Sequence, residues 1–306
     1  MTLQYAGSVD CELLLYADDT CLIFQGKDTN EIEINLTKNF NILCDWFVDN
    51  KLSIHLGEEK TKSILFSGKK RPTNDKLLIK HQDIILKQYK MVTYLGCLLD
   101  ENNSGESMAL KVITKINGRL KFLWRKHKFL NPCLRRLLCN ALIQPHFDFA
   151  VSAWYPNLKK GFTDKLQICQ NKCIRFCLGM GSRDHVGSKE FKKINWLPVQ
   201  ERFEQCVNVH VYKFIKKESP VYMGKLFNIA EQPRINTRAH TGINLVKPNR
   251  TKACGRKAIS FIGPNVWNPL PKDIKNGENT NAFKHRIKTF YFDNICQKES
   301  DSYLYY

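Results

Sequence analysis

The feature that most constrains this chain is a pair of apolar runs separated by a short polar turn, over residues 12–25 (ELLLYADDTCLIFQ). Short runs rich in aliphatic and aromatic residues on either side of a turn predict two antiparallel strands. Because both runs are nearly continuously apolar, they predict a β-hairpin that is buried on both flanks. Two adjacent aspartates, Asp18 and Asp19, occupy the turn, where their like charges repel each other.

A helix and further short strands are expected after this hairpin. Apolar residues spaced by three and four predict a helix that ends near Asn50, with Asp28 or Thr29 as its N-cap. Residues 1–100 are therefore expected to form a small α+β unit. The strand candidates that follow the helix are residues 52–56, 63–67, 77–80, 84–89 and 92–99.

From residue 101 onward the pattern is mostly helical. Asn131-Pro132 is typical of a helix start, and Gly179 is typical of a helix end. The Pro, Gly, Asn and Arg content of residues 228–265 predicts loops or short strands. The expected helices cover about 110–123, 131–144, 163–178, 198–217 and 281–294. The expected organisation is thus residues 1–100, a helical region at 101–180 and a basic C-terminal region at 181–306.

Charge is unevenly distributed along the chain. Lys and Arg number 48 against 29 Asp and Glu, a net charge of +19. Residues 1–66 carry 5 basic and 11 acidic side chains, which leaves a net charge of +25 for residues 67–306. An acidic segment followed by a strongly basic one indicates a cation site beside a polyanion-binding surface. A basic protein whose lysines are only solvated has the same composition, and remains the alternative.

Composition argues against membrane and secreted classes. No stretch approaches the roughly 20 uncharged apolar residues that a bilayer crossing needs, and no secretory signal follows Met1. The 12 cysteines lie among apolar neighbours. Such a pattern predicts reduced core thiols in an intracellular protein without a disulfide-linked partner.

Three of these cysteines share a helix face. Cys169, Cys173 and Cys177 recur every four residues in the third expected helix, and His185 follows. Structural zinc sites favour closely spaced ligand pairs that fold around the ion. A buried apolar stripe is therefore favoured over a zinc site at these positions.

Asp18 and Asp19 have the chemistry of a divalent-cation site. Carboxylate oxygens are the hard ligands that Mg²⁺ prefers, and a bound cation would remove their mutual repulsion. Two such ions about 4 Å apart can activate an attacking 3′ hydroxyl and stabilise a leaving pyrophosphate. Asp-rich turns without function are common, so the flanking aliphatic and aromatic residues decide the interpretation.

In this apolar setting, residues 16–20 (YADDT) resemble motif C of reverse transcriptases, in the form found in non-LTR (LINE, jockey-type) retrotransposons. The resemblance continues in order and spans nearly the whole chain. Residues 50–52 and 59–62 resemble motif D, and residues 92–100 (VTYLGCLLD) resemble motif E, the primer grip. Residues 131–154, 166–179 and 196–198 with Arg202 are similar to the helical region after the palm. Residues 263–271 (GPNVWNPLP) with 283–284 resemble a C-terminal tail of these elements.

The resemblance implies a reverse-transcriptase palm remnant of hairpin, helix and short antiparallel strands, followed by an α-helical thumb and C-terminal region. It implies that Asp18 is a direct ligand of Mg²⁺, or of Mn²⁺, and that Asp19 completes the acidic turn. Lys60 would protonate or neutralise the leaving pyrophosphate. An ordinary solvated turn lysine is the alternative for Lys60.

The resemblance also implies partners, an RNA template and a DNA primer. Basic clusters would follow the nucleic-acid backbone through phosphate contacts that carry no base specificity. Residues 69–72 (KKRP) additionally resemble a short nuclear-import signal. The residues that would contact nucleic acid are Tyr16, Tyr94, Leu95, Gly96, Lys69, Lys70 and Arg71.

Polymerases of this family need a further aspartate on an earlier strand, motif A, and a fingers region. Only 15 residues precede Tyr16. We therefore expect a C-terminal fragment of an RNA-directed DNA polymerase that binds primer–template and supplies part of a two-metal nucleotidyl-transfer site, inactive alone. The alternative is a non-catalytic basic nucleic-acid-binding protein derived from a mobile element.

Overall fold

The computed structural model describes residues 11–57, 60–66, 76–230, 243–250, 252 and 255–303. The chain divides into two compact units, which we call the N-terminal unit (Met1–Ser104) and the C-terminal unit (Gly105–Tyr306). The N-terminal unit combines one long helix with short antiparallel strands, and the C-terminal unit is helical. The described residues are therefore α+β, as predicted.

The N-terminal unit begins with the predicted hairpin. Strand β1 (Cys11–Tyr16) pairs antiparallel with β2 (Asp19–Phe24). The prediction that both flanks are buried is wrong, since Leu14, Leu15 and Ile23 are each more than 40 % exposed. Within the described part of the chain this sheet has only two strands, so much of its apolar surface has no neighbouring layer to cover it.

Helix α1 (Thr29–Asp49) follows the hairpin as predicted. Asp28, and not Thr29, is the N-cap, and its carboxylate accepts the Glu31 backbone N–H at 2.8 Å. Capping of this kind satisfies one of the backbone donors that the first helical turn leaves without a partner. The core of the unit forms where this helix meets the later strands, and its buried members are Phe40, Cys44, Leu77, Ile79 and Leu86.

The remaining strands are shorter than predicted. The short pieces β3 (Lys80–His81) and β4 (Ile84–Ile85) pair with each other, and β5 (Met91–Tyr94) pairs with β6 (Cys97–Asp100). No strand forms at the described residues of 52–56 and 63–67, where Ser63 makes one isolated bridge to Gln88.

Residues 92–99 fold as a hairpin and not as the single strand that was predicted. The register leaves a two-residue turn, Leu95-Gly96, with φ of 46° and 78°. Two consecutive positive φ angles are the signature of the tight turn that matches the twist of paired strands. Gly96 adopts such an angle without steric cost, and its position inside the apolar run is the signal that the prediction overlooked.

In the C-terminal unit ten helices are described: α2 (Glu106–Arg125), α3 (Pro132–Leu142), α4 (Gln144–Asp148), α5 (Val151–Trp154), α6 (Lys160–Leu178), α7 (Ser188–Ile194), α8 (Val199–Ile215), α9 (Ile259–Trp267), α10 (Lys272–Lys275) and α11 (Thr280–Tyr303). Short 3-10 turns connect several of them. None of the described helices combines the length and apolar character that a bilayer crossing needs.

Local signals explain where several of these helices begin and end. The Asn131 side chain accepts the Leu134 backbone N–H at 2.9 Å, which confirms the predicted start of α3. Gly179 ends α6 with φ of 67°, also as predicted. Helix α3 ends at Leu142, two residues before the predicted end at residue 144, and Pro145, which has no backbone N–H to donate, lies in the first turn of α4.

The core of the C-terminal unit lies around α6. Cys169, Cys173 and Cys177 are each at most 2 % exposed, which confirms the buried stripe. Cys139 of α3 lies against Cys177, and the hydrogen bond between the two thiols, together with burial, raises the pKa of the Cys139 thiol. His185 is exposed. Thiols so placed pack as small apolar groups.

Candidate active site

The turn between β1 and β2 carries the two predicted metal ligands. The register pairs Tyr16 with Asp19, so that Ala17 and Asp18 form a two-residue turn. Ala17 has φ of 52°, a left-handed conformation that costs a residue with a Cβ about 1 kcal/mol. Asp18 lies in this turn and Asp19 begins β2 directly after it, and both residues are exposed.

Two adjacent exposed carboxylates match the oxygen chemistry of Mg²⁺, which keeps several waters when proteins bind it. Within the described ranges, however, no group of three or more His, Cys, Asp and Glu side chains is placed to hold a metal ion. Of the predicted metal ligands, the structure thus places Asp18 and Asp19 at one exposed turn, without a third ligand among the described residues.

Tyr94 at the end of β5 lies close to this turn. Burial raises the pKa of its phenol, and the nearby Cys21 and Asp19 raise it further. Asp19 and Cys21 point to the same face of β2 because side chains alternate along a strand. The fold thus places two predicted site residues, Asp19 and Tyr94, within electrostatic range of each other, although their hairpins are far apart in the sequence.

The other predicted contacts of this region are placed as follows. Tyr16 is 65 % exposed and lies directly across the strand pair from Asp19. Leu95 and Gly96 form the exposed tip of the β5–β6 hairpin, next to Tyr94. Tyr16, Leu95 and Gly96 are therefore all exposed, each at or next to the turn of its own hairpin.

Lys60 is exposed in a turn in which its backbone N–H donates to the Gly57 carbonyl at 3.1 Å. Among the residues that the structure describes, no ion pair joins Lys60 to Asp18 or Asp19. The predicted contacts Lys69, Lys70 and Arg71 lie outside the described residues. Of the predicted basic residues, the one that the structure describes, Lys60, therefore makes no ion pair with the acidic turn.

The segment 196–198 with Arg202 has a structural role that the sequence did not reveal. The Trp196 indole N–H donates to the Asn140 side chain at 2.7 Å. Arg202 makes a two-pronged ion pair with Asp148, at 2.7 and 2.8 Å. These contacts join α8 and the residues before it to α3 and α4. No local signal could have found the partners, because each pair is separated by more than 50 residues.

The segment 263–271 also acts as a packing junction. The Trp267 indole N–H donates to the Ile243 carbonyl at 2.8 Å. Asn268 exchanges two hydrogen bonds of 2.9 Å with the backbone of Leu245. These bonds explain two residues of segment 263–271 by the fold. The Asn268 amide pairs with a backbone as a strand would, and the Trp267 indole donates to the same neighbouring segment.

Buried Lys275 completes this junction. Its Nζ donates to the Asn268 carbonyl at 3.0 Å and to the Asn244 side chain at 2.9 Å, and burial lowers its pKa to about 8. A lysine held this way satisfies carbonyl groups in the core and is not accessible to phosphate. Being 5 % exposed, it does not belong to a nucleic-acid surface.

Comparison with known proteins gives one relevant similarity. Over 166 residues, 52 % of this chain, the sequence is 27 % identical to the protein described as "Retrovirus-related Pol polyprotein from type-1 retrotransposable element R1 2" of Nasonia vitripennis. The matched part spans 40 % of that relative's own length. No protein-family profile matches the chain, and no solved structure matches it. The similarity supports a retrotransposon-derived protein.

Proposed function

We propose that this chain is the C-terminal part of a retrotransposon RNA-directed DNA polymerase. The observation that carries the proposal is that the charge of Asp19 in the first hairpin acts on the Tyr94 phenol of the third, whose pKa is raised by burial, by Cys21 and by Asp19. These residues belong to the segments that resemble motif C and the primer grip, which must be adjacent if a metal site is to meet a primer end. The similarity to a Pol polyprotein supports the same origin.

In this proposal Asp18 and Asp19 hold Mg²⁺ or Mn²⁺ weakly, with waters completing the coordination shell. A bound divalent ion supplies charge stabilisation at the reacting phosphate and lowers the pKa of a bound hydroxyl. Lys60 acts on the leaving pyrophosphate, to which its exposed ammonium group is accessible. The chain contributes to the site in this way but does not complete it, because the described residues contain no third ligand.

The C-terminal unit binds primer–template, an RNA template with a DNA primer, through its basic surface. It contains 36 basic and 14 acidic residues, a net charge of +22. Binding through phosphates has little sequence preference and weakens steeply with salt, because each neutralised phosphate releases counterions. We expect single-stranded and hybrid nucleic acid to bind the whole chain with such a salt dependence.

Primer extension tests the catalytic part of the proposal. With Mg²⁺ or Mn²⁺, the 306-residue chain alone should not extend a primer on RNA or DNA templates, because the reacting groups are not held in line. Addition of an upstream fingers–palm segment of a reverse transcriptase, in cis or as a second chain, should be required for any extension. Asp18→Ala should abolish the restored activity and leave nucleic-acid binding nearly unchanged.

The matched control for Asp18→Ala is Asp83→Ala, at another exposed turn aspartate of the N-terminal unit. It should leave the restored extension intact. Extension by the unaided chain that is lost in Asp18→Ala would contradict the proposal, because Asp18 would then act in a complete site.

A non-catalytic nucleic-acid-binding protein derived from a mobile element is the second candidate. It is favoured by the exposure of both carboxylates and by the lack of a third ligand among the described residues. Retained, salt-dependent binding together with no extension by any complemented chain would select it over the polymerase fragment.

A further inference from the structure

A cleft of about 450 Å³ lies between α2 and α6 in the C-terminal unit. Its floor is Leu120, which is 5 % exposed. Trp124 lines the cleft one helical turn further along α2 and keeps 40 % of its surface exposed. The residues that line the cleft are Asn117, Leu120, Lys121, Trp124, Lys172, Arg175 and Ser182.

The charge of this cleft is entirely positive. Lys121, Lys172 and Arg175 contribute three cations, and none of the described residues that line it is acidic. The Arg175 Nε donates to the Asp184 carbonyl at 2.8 Å, which fixes the guanidinium group at the rim. The Asp184 carboxylate instead accepts the Gly181 backbone N–H at 2.7 Å. Fixed cations around a low-dielectric concavity concentrate anions there.

Trp124 is held in position by its own contacts. Its ring meets Phe176 edge to face at a centroid distance of 5.2 Å, and His127 lies at 5.6 Å. The His127 Nδ1 is hydrogen-bonded to the Trp124 carbonyl at 2.7 Å. A tryptophan supported on one side and exposed on the other is preorganised to receive a planar ligand, since little rotational freedom is lost on binding.

We propose that this cleft is a stacking site for one base of a single-stranded nucleic acid, with the flanking phosphates bound by Lys121, Lys172 and Arg175. Aromatic surface beside a basic track is the arrangement by which proteins bind single strands without reading their sequence. The inference deepens the proposed function, on which it rests, by placing a binding site in the C-terminal unit. It involves none of the residues of the acidic turn.

Fluorescence anisotropy with a labelled oligothymidylate of about 15 nucleotides tests the site on the full chain. Trp124→Leu should weaken binding about 10-fold, because base stacking contributes about 1 to 3 kcal/mol. Lys121→Gln and Lys172→Gln should each weaken binding several-fold and lower the slope of log K against log salt by about 1. Phe122→Leu is the aromatic control, since Phe122 lies on the same helix, is 60 % exposed and does not line the cleft.

A strand of the same length without bases separates stacking from charge. Trp124→Leu should bind this abasic strand as well as the wild-type chain does, whereas Lys172→Gln should remain weaker. Because Trp124 also packs on Phe176, Trp124→Leu could weaken binding by disturbing this packing. A measurement that keeps Trp124 in place is therefore needed as well. The ¹⁹F resonance of 5-fluorotryptophan at position 124, assigned with Trp124→Phe, should shift on addition of oligothymidylate and not on addition of the abasic strand.

The outcomes distinguish this inference from the proposed function. If the wild-type chain binds with the expected salt dependence, while the cleft variants match it and the ¹⁹F signal does not move, the cleft is not the site and the proposed function stands. If the wild-type chain does not bind, both are overturned. A further competition compares how strongly unlabelled polyaspartate and unlabelled oligothymidylate displace the labelled strand, both from the wild-type chain and from Trp124→Leu. Equal displacement by the two in both chains would show an acidic-peptide site and overturn the inference.

Discussion

The two units differ in how far they bury their own apolar surface. Around α2, α6, α8 and α11 the C-terminal unit fully buries large side chains such as Trp154, Trp267 and Phe283. The described residues of the N-terminal unit form three two-stranded sheets and one long helix, and the hydrophobic cluster between α1 and the later strands has five buried members. Large apolar side chains of the first hairpin remain exposed.

Helix and strand physics explains this difference. Two-stranded hairpins are marginally stable unless a further layer covers them, whereas helices that pack in several directions share a continuous core. The two units also differ in charge: the net charge is −3 for the N-terminal unit and +22 for the C-terminal unit. The comparison indicates a more stable, basic C-terminal unit and a less stable, slightly acidic N-terminal unit that contains Asp18 and Asp19.

Urea unfolding should expose this difference as the largest effect. Trp46 is the one tryptophan of residues 1–104, so 5-fluorotryptophan at this position reports on the N-terminal unit. We expect its ¹⁹F signal to reach the unfolded position at lower urea than that of Trp154, with a difference in unfolding free energy of about 3 kcal/mol or more. Coincident transitions of the two signals would show that the units unfold together and contradict the comparison.

A substitution in the C-terminal core should give the next largest effect. A Cβ added at Gly263 of α9 would lie 2.4 Å from the ring of buried Phe227. Gly263→Ala should therefore reduce the unfolding free energy, read from the Trp154 signal, by about 2 to 3 kcal/mol. Gly118→Ala is the matched control, because nothing lies within 4 Å of the added Cβ. This control should stabilise α2 by about 1 kcal/mol, and equal effects of the two variants would refute the packing argument.

Alkaline pH should act on the N-terminal core. Burial and the charge of Asp45 raise the pKa of the Cys44 thiol from 9.0 to about 11. The unfolded chain loses this proton first, so the stabilisation is complete below pH 9 and is lost as pH rises to about 11. The loss should approach 2 kcal/mol in the Trp46 transition. Cys44→Ala should remove this part of the pH dependence, and Cys133→Ala, at an exposed cysteine, should not; the same dependence in both variants would contradict the assignment.

The smallest effect is expected at the acidic turn. Ala17→Gly should relieve the left-handed strain, although glycine also makes the unfolded chain more flexible. We expect a net gain of at most about 1 kcal/mol in the Trp46 transition. Ala141→Gly, at an exposed position of α3, should instead destabilise its own unit by about 1 kcal/mol. A loss of stability in Ala17→Gly would show that its backbone is not strained.

Local patterns in the sequence predicted much of this fold. The first hairpin, helix α1, the Asn131 cap and the Gly179 helix end all depend on residues close to each other, so short windows contain their causes. The prediction failed where the cause was distant. In α2, Leu110 is 49 % exposed whereas Val112 is buried, because α6 and its neighbours decide which stripe of the helix is covered.

The candidate site, like the fold, has features that the local sequence predicts and features that depend on distant residues. The sequence by itself determined the acidic turn, since Asp18 and Asp19 are adjacent and the apolar runs beside them can pair only around a tight turn. Only the tertiary structure decided that Tyr94 lies near Asp19, that Arg202 pairs with Asp148, and that α2 and α6 enclose a basic cleft. The physical reason is that hydrogen bonding and side-chain alternation act over a few residues, whereas the burial that joins distant segments depends on the whole chain at once.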